Sequence, residues 1–145
     1  MIIKDFPDHH DAEIVIKLYE LRREAVMREA RKAVGRFLPK SFEEVQEFVK
    51  PDAPTNPHWR QVGSYWEMAY GMIRHGVLHA DFMIECNGAE GLFVLARVEP
   101  FLEQLRAQTT PTTLANTEWV AKNTDAGKRM YEQIRARIDR MRAAK

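Results

Sequence analysis

Between residues 8 and 142 the apolar side chains recur every three or four positions, and the recurrence is interrupted where proline or glycine intervenes. That spacing is the period of an α-helix, so the chain reads as helix nearly throughout. Pro7 and Asp8 start a first helix over 8–35, with Ile14, Leu18, Leu21 and Ala25 on one face, and Gly35 and Pro39 end it. Ser41 and Glu44 spell a capping box for a short helix reaching Val49. Three prolines in the seven residues 51–57 cannot hold a helix and form a turn. Asn56 as cap and Pro57 in the first turn then open a central helix carrying Val62, Trp66, Ala69 and Ile73, which stops at Gly76.

A brief helix over 80–86 is expected to end with Asn87-Gly88 in the left-handed conformation. The period resumes over 89–109 through Leu92, Leu95, Ala96, Leu102 and Leu105, with a break near Glu99 forced by Pro100. A polar turn over 109–113 precedes a last helical region over 116–142, which offers a second cap at Thr124 and an apolar face of Met130, Ile134, Ile138 and Met141. The expected fold is all-α: one irregular bundle of five to seven helices, with a long N-terminal and a long C-terminal helix, forming a single domain over 1–145.

Composition narrows the function. A chain of 145 residues buries roughly 68–70% of its unfolded surface, enough for one continuous core. Cys86 is the lone cysteine, so no internal disulfide forms, and the first five residues lack the apolar core of a signal peptide. The expected compartment is the cytoplasm. The longest uncharged apolar run, 92–96, is far short of the ~20 residues that cross a bilayer. With a net charge of +1 the molecule as a whole exerts no strong pull on nucleic acid or an anionic membrane.

Three clusters hold residues from which sites are made. His9, His10, Asp11 and Glu13 sit in one helical turn, where neighbouring side chains diverge by about 100° and are not expected to meet on one ion. His75 and His79 have the four-residue spacing of a helical metal pair, with Asp81, Glu85 and Cys86 nearby, but Gly76 ends the helix between them. They remain weak metal candidates, and a structural role near a helix end accounts for them as well. Trp66, Glu67, Tyr70 and His75 form the pocket candidate, joined on the same helix by His58, Trp59 and Tyr65. Here Trp59, Trp66 and Ile73 make a core ridge, and Glu67, once buried near Tyr70 or Arg97, is either a structural bracket or a pocket acid. No serine, cysteine or glycine stands in a nucleophile or phosphate-loop pattern, so neither an enzyme nor a cofactor is indicated.

Charge is concentrated locally. Over 128–145 seven basic residues stand against Glu132 and Asp139, a surplus of +5, and the second half of the first helix carries Arg22, Arg23, Arg28, Arg31, Lys32 and Arg36. Packed side by side, the two helices would make one positive surface. The arginines of the last helix spread around its polar arc, however, so only weak nucleic-acid binding is expected there.

The stretch Ser64-Tyr65-Trp66-Glu67-Met68, followed by Ile73-Arg74-His75-Gly76-Val77-Leu78 and later by Val98-Glu99-Pro100-Phe101 with Arg106, resembles a family of uncharacterised bacterial all-helical domains of unknown function. The resemblance covers 59–106. It implies the helical fold and transfers no activity. The preferred functional reading is a non-catalytic interaction or scaffold domain, a homo-oligomer or a binder of a protein partner, because Val15, Tyr19, Val26 and Val34 exceed what one packing face of the first helix requires. The alternative is a small-molecule or metal pocket around 66–75.

Overall fold

The computed structural model describes residues 3–144. Its elements are α1 (His9–Arg22), α2 (Ala25–Gly35), α3 (Phe42–Val49), α4 (Asn56–Arg74), α5 (Ala80–Asn87), α6 (Glu90–Val98), a 3-10 turn (Glu99–Phe101), α7 (Leu102–Gln108), α8 (Ala115–Asn123) and α9 (Asp125–Ala143). The regular elements of the described residues are thus all helical, as the periodicity requires. They are divided into nine α-helices and one short turn, more finely than the expected five to seven.

The unforeseen division lies at Arg23 and Glu24, where neither glycine nor proline marks a stop. The buried residues of α1 are Asp11, Val15 and Leu18, and those of α2 are Met27, Ala30 and Val34. Leu18 and Met27 are nine residues apart, which on a continuous helix amounts to about 900°, half a turn out of phase. One straight helix would aim the two stripes in opposite directions. The chain therefore breaks, α1 packing on α5 and α2 on α4. Leu21 and Ala25, expected on the buried face, are exposed.

Other borders follow local chemistry. Asp8 caps α1 by accepting from His10 N and Asp11 N, while Asp11 Oδ2 accepts from Asp8 N at 2.7 Å, a capping box built from two aspartates. Ser41 caps α3 as expected, but the returning Glu44 carboxylate takes the Lys40 amide. Thr55, not Asn56, precedes α4, and the Asn56 side chain instead donates to Val49 O. Gly76 stops α4 with φ 74°, in the left-handed region. Gly88 is not left-handed, with φ −107°. Glycine is needed there because a Cβ would stand 2.6 Å from Ile84 Cα and 2.8 Å from Met83 O. Thr124 separates α8 from α9 by accepting from Gly127 N. Leu114 opens α8 with φ 56°, a conformation that disfavours a side chain and is held by burying that side chain in the core.

Helix α4 occupies the centre, packed by α2 and α8 with α3 and α6 beside them, while α9 closes over α5, α6 and α8. Trp66 is 1% exposed, stacks on Tyr70 at 5.4 Å and meets Tyr65 edge-on at 4.9 Å. Both phenols bond to backbone: Tyr65 Oη donates to Leu18 O at 2.6 Å, and Tyr70 Oη donates to Gly88 O. Burial pushes the Tyr65 hydroxyl up to about 12 and that of Tyr70 further still. Trp59 and Trp119 are only half-buried.

Candidate functional site

The four residues of the alternative pocket around 66–75 take different surroundings. Trp66 and Tyr70 are core, His75 is an exposed residue at the C-terminal end of α4, and Glu67 turns toward α8. The Glu67 carboxylate accepts from Asn116 N at 3.0 Å, Thr117 N at 2.8 Å and Thr117 Oγ1 at 2.6 Å, capping α8 from another helix. The structural bracket is what the chain builds, and its partners are in α8 rather than Arg97.

The weak metal candidates also part. His79 caps α5, with Nδ1 accepting from Phe82 N at 3.0 Å and Nε2 3.2 Å from Asp5 O. Among the described residues His75, His79 and Cys86 form no cluster of ligand geometry. His9, His10 and Glu13 do approach, their ligand atoms lying within 4.8 Å of one another, all three exposed. The expected divergence holds for Asp11 alone, which is fully buried and accepts from Lys4 Nζ at 2.8 Å, Asp8 N at 2.7 Å and His79 N at 2.8 Å. Burial would raise the Asp11 pKa, but the ammonium and the two amides together hold it at about 2.

A different place concentrates charge. One stripe of α6 presents Glu90, Phe93, Val94 and Arg97, spaced by the three, one and three residues that line a single helical face. Opposite stand Arg31, Val34 and Gly35 from the end of α2 and Arg137 with Met141 from α9, and Val62 of α4 lies at the base. The half-open cleft measures about 460 Å³. Small-molecule sites commonly span roughly 300–1,000 Å³. The two basic helices noted in the sequence therefore face each other across a gap floored by α4 and α6.

Within the cleft the charges fall into two groups. Glu90 is answered: Arg31 Nε lies 2.8 and 3.0 Å from its two oxygens, Trp66 Nε1 donates to it at 3.1 Å, and Arg22 Nη2 is 3.8 Å away while its guanidinium lies over Trp66. Arg97 and Arg137 are not answered. Each guanidinium lies over the Phe93 ring at 5.7 Å, and among the described residues neither has a carboxylate within ion-pair distance. Arg97 is half-buried and its one hydrogen bond, to Gly35 O, is long at 3.4 Å. Burial pushes its pKa below the ordinary arginine value, and the positive Arg137 adds to this while Glu90 opposes it. A guanidinium stays protonated even so, which leaves the half-buried Arg97 and the exposed Arg137 without counter-ions at the cleft.

Of the other basic residues of α9, Arg135 and Arg142 are engaged, while Lys128, Arg129 and Arg140 are exposed. Arg135 pairs with Glu99 at 3.2 Å, Tyr131 donates to the same carboxylate at 2.6 Å, and Arg142 donates to Arg97 O. No helix of the described residues is long and apolar enough to cross a membrane.

The model of a family described as a domain of unknown function, DUF4760, matches residues 7–124. The match extends well beyond 59–106 on both sides and ends at the Thr124 cap, so α9 with Arg137 and Met141 lies outside it. No curated protein and no solved structure matches the chain.

Proposed function

We propose that this chain, which belongs to the DUF4760 family of domains of unknown function, is a non-catalytic binding module whose site is the cleft between α2, α6 and α9, and that it holds a small anion there. The observation that carries the reading is the pair Arg97 and Arg137, two guanidiniums over one phenylalanine ring, unpaired in a cleft where the neighbouring Glu90 already has its own partners. A bound anion supplies the missing counter-charge with charge-assisted hydrogen bonds, about twice as strong as neutral ones. The lining contributes no hydroxyl, thiol or imidazole to act as nucleophile or base, which favours binding over chemistry. With a lone exposed Cys86 and no disulfide, we place the module in the cytoplasm.

The test is a thermal-shift panel of anionic metabolites on the wild type and an Arg97→Gln variant. A ligand at a hundred times its dissociation constant adds about 2.7 kcal/mol and is readily seen. Stabilisation present in the wild type and absent in the variant supports the reading, and no shift across a broad panel ends it.

A second reading concerns the outer side of α1. Ile16 and Tyr19, three apart on one face, are 59% and 51% exposed. Pairing of two copies through this face would give a homodimer, but not through the surface expected from the sequence, since of Val15, Tyr19, Val26 and Val34 the first and last are core. Sedimentation equilibrium at micromolar concentration decides it: a strict monomer removes this reading and leaves the cleft untouched.

A further inference from the structure

We infer that the anion taken by the cleft is an amphiphile: a single carboxylate or phosphate head carried on an apolar acyl or alkyl body, and neither a nucleotide nor a sugar phosphate. This inference rests on the anion-binding reading above and specifies its ligand class. Three properties of the lining point to it.

The first is the charge balance. Arg31, Arg97 and Arg137 stand against Glu90, and Arg31 is spent on Glu90. Two cations remain for the ligand, each 5.7 Å from the centroid of the Phe93 ring. That matches one head group. A chain of phosphates would have to extend toward the Glu90 carboxylate, which is fixed in place by Trp66 Nε1 and repels a second anionic group.

The second is the absence of readers for polar groups. The side chains lining the cleft are arginine, one glutamate, valine, phenylalanine and methionine, with Gly35 offering only backbone. None is a serine, threonine, asparagine or glutamine. A site that recognises ribose or hexose hydroxyls needs such donors and acceptors, because each hydroxyl buried without a partner weakens binding. Phe93 is the sole aromatic ring in the lining, and two guanidiniums already lie over it, so no vacant ring is offered to a nucleobase.

The third is the wall that remains once the arginines are assigned. Val34, Val62, Val94 and Met141 complete the lining with apolar side chains. Val34, Val62 and Val94 are 1–2% exposed and only back the cleft, so the apolar side-chain surface open to a ligand is mainly that of Phe93 and Met141, both half-buried. Methionine is unbranched and adapts its shape to an irregular apolar guest. Helices α6 and α9 thus supply both the guanidiniums, Arg97 and Arg137, and the accessible apolar side chains, Phe93 and Met141.

The experiment is isothermal titration of the full chain with sodium decanoate below its aggregation threshold, alongside sodium hexanoate, decanol, inorganic phosphate and adenosine monophosphate. Decanoate is expected to bind, and hexanoate to bind at least tenfold more weakly, since each buried methylene contributes severalfold in affinity. Decanol, phosphate and adenosine monophosphate are expected to bind at least tenfold more weakly than decanoate. Arg97→Gln and Arg137→Gln should each lower decanoate affinity tenfold or more, and Met141→Gln should lower it while reducing the decanoate-to-hexanoate ratio. Decanol binding as tightly as decanoate, or equal affinity for hexanoate and decanoate, overturns the amphiphile. Arg97-dependent binding of phosphate or adenosine monophosphate without decanoate binding also overturns it, and in that case the anion site stands. Failure of every anion to bind a folded wild type brings down the anion site itself.

Discussion

Glu67 and Glu90 are both half-buried carboxylates at helix junctions, and they serve opposite ends. Glu67 meets two backbone amides and one hydroxyl at the start of α8, and the cluster closes on itself: Asn116 Nδ2 donates to Glu67 O, and Arg74 reaches Asn116 Oδ1 while lying over Trp119. Glu90 is also satisfied, by Arg31 and Trp66, yet the arginines around it outnumber it. The first arrangement has no charge left over; the second leaves Arg97 and Arg137. A carboxylate whose partners balance it is a joint between helices. Where partners of one sign exceed the other beside an open cleft, the surplus is the charge that the proposed ligand would answer.

Four outcomes would break or sharpen that contrast. Trp66 is the wall against which Glu90 rests, and Trp66→Ala is expected to cost about 3–5 kcal/mol in urea denaturation, the range for deleting a large buried aromatic. Trp59→Ala and Trp119→Ala should cost clearly less because both rings are half-buried. Similar small losses at all three would show that the interior beside the cleft is loosely packed, and the contrast between a filled core and an open site would lapse.

Asp11 is the bracket at its most extreme, fully buried and holding the segment before α1 to the start of α5. Asp11→Ala leaves two amides and Lys4 without their acceptor and is expected to cost about 3 kcal/mol. The pH dependence has a definite sign. Because the folded pKa, about 2, lies below the ordinary 3.8, the contribution is complete above 3.8 and is lost as pH falls from there through 2. Melting temperatures of the wild type and Asp11→Asn should therefore converge as pH drops across that window. A gap that stays constant would mean that the carboxylate charge is not what the bracket uses.

The direct comparison pairs Glu67→Ala with Glu90→Gln. The first removes three hydrogen bonds and the charge at a helix N-terminus, an expected loss of about 2 kcal/mol by thermal unfolding. The second keeps a polar group beside Trp66 and frees the partly exposed Arg31, so it should cost about 1 kcal/mol or less and raise affinity for anions. Equal losses with no gain in binding would make Glu90 a joint like Glu67. The smallest effect is expected at Arg97→Met, where a desolvated, unpaired charge gives way to an apolar chain of similar length. Stability should stay within about 0.5 kcal/mol of the wild type or rise slightly while anion binding disappears. A large destabilisation would show that Arg97 holds α6 to Gly35 rather than serving a ligand.

Much of the helical layout was legible because single residues carry it. Gly76, Pro100 and Thr124 mark their borders through an allowed positive φ, a missing amide and a capping hydroxyl, and Trp66 announces the core by size and spacing. The cleft was harder to see. Its clearest signal was the stripe of Glu90, Phe93, Val94 and Arg97, in which charge flanks an apolar pair on one helical face. Both halves of the basic surface were visible as charge runs on the first and last helices. That they confront each other across α6 could not be read from either run.

The sequence by itself determined that this chain is helical, where most of its helices stop, and which tryptophan anchors the interior, because those properties depend on dihedral limits and apolar spacing within a few residues. Only the tertiary structure decided the break at Arg23 and Glu24, the strained start of α8 at Leu114, the capping of α8 by Glu67 and the meeting of Arg31, Arg97 and Arg137. Each of these depends on the direction in which one helix leaves another. That direction is set by the summed packing of faces far apart in the chain, a sum in which no single residue states the answer.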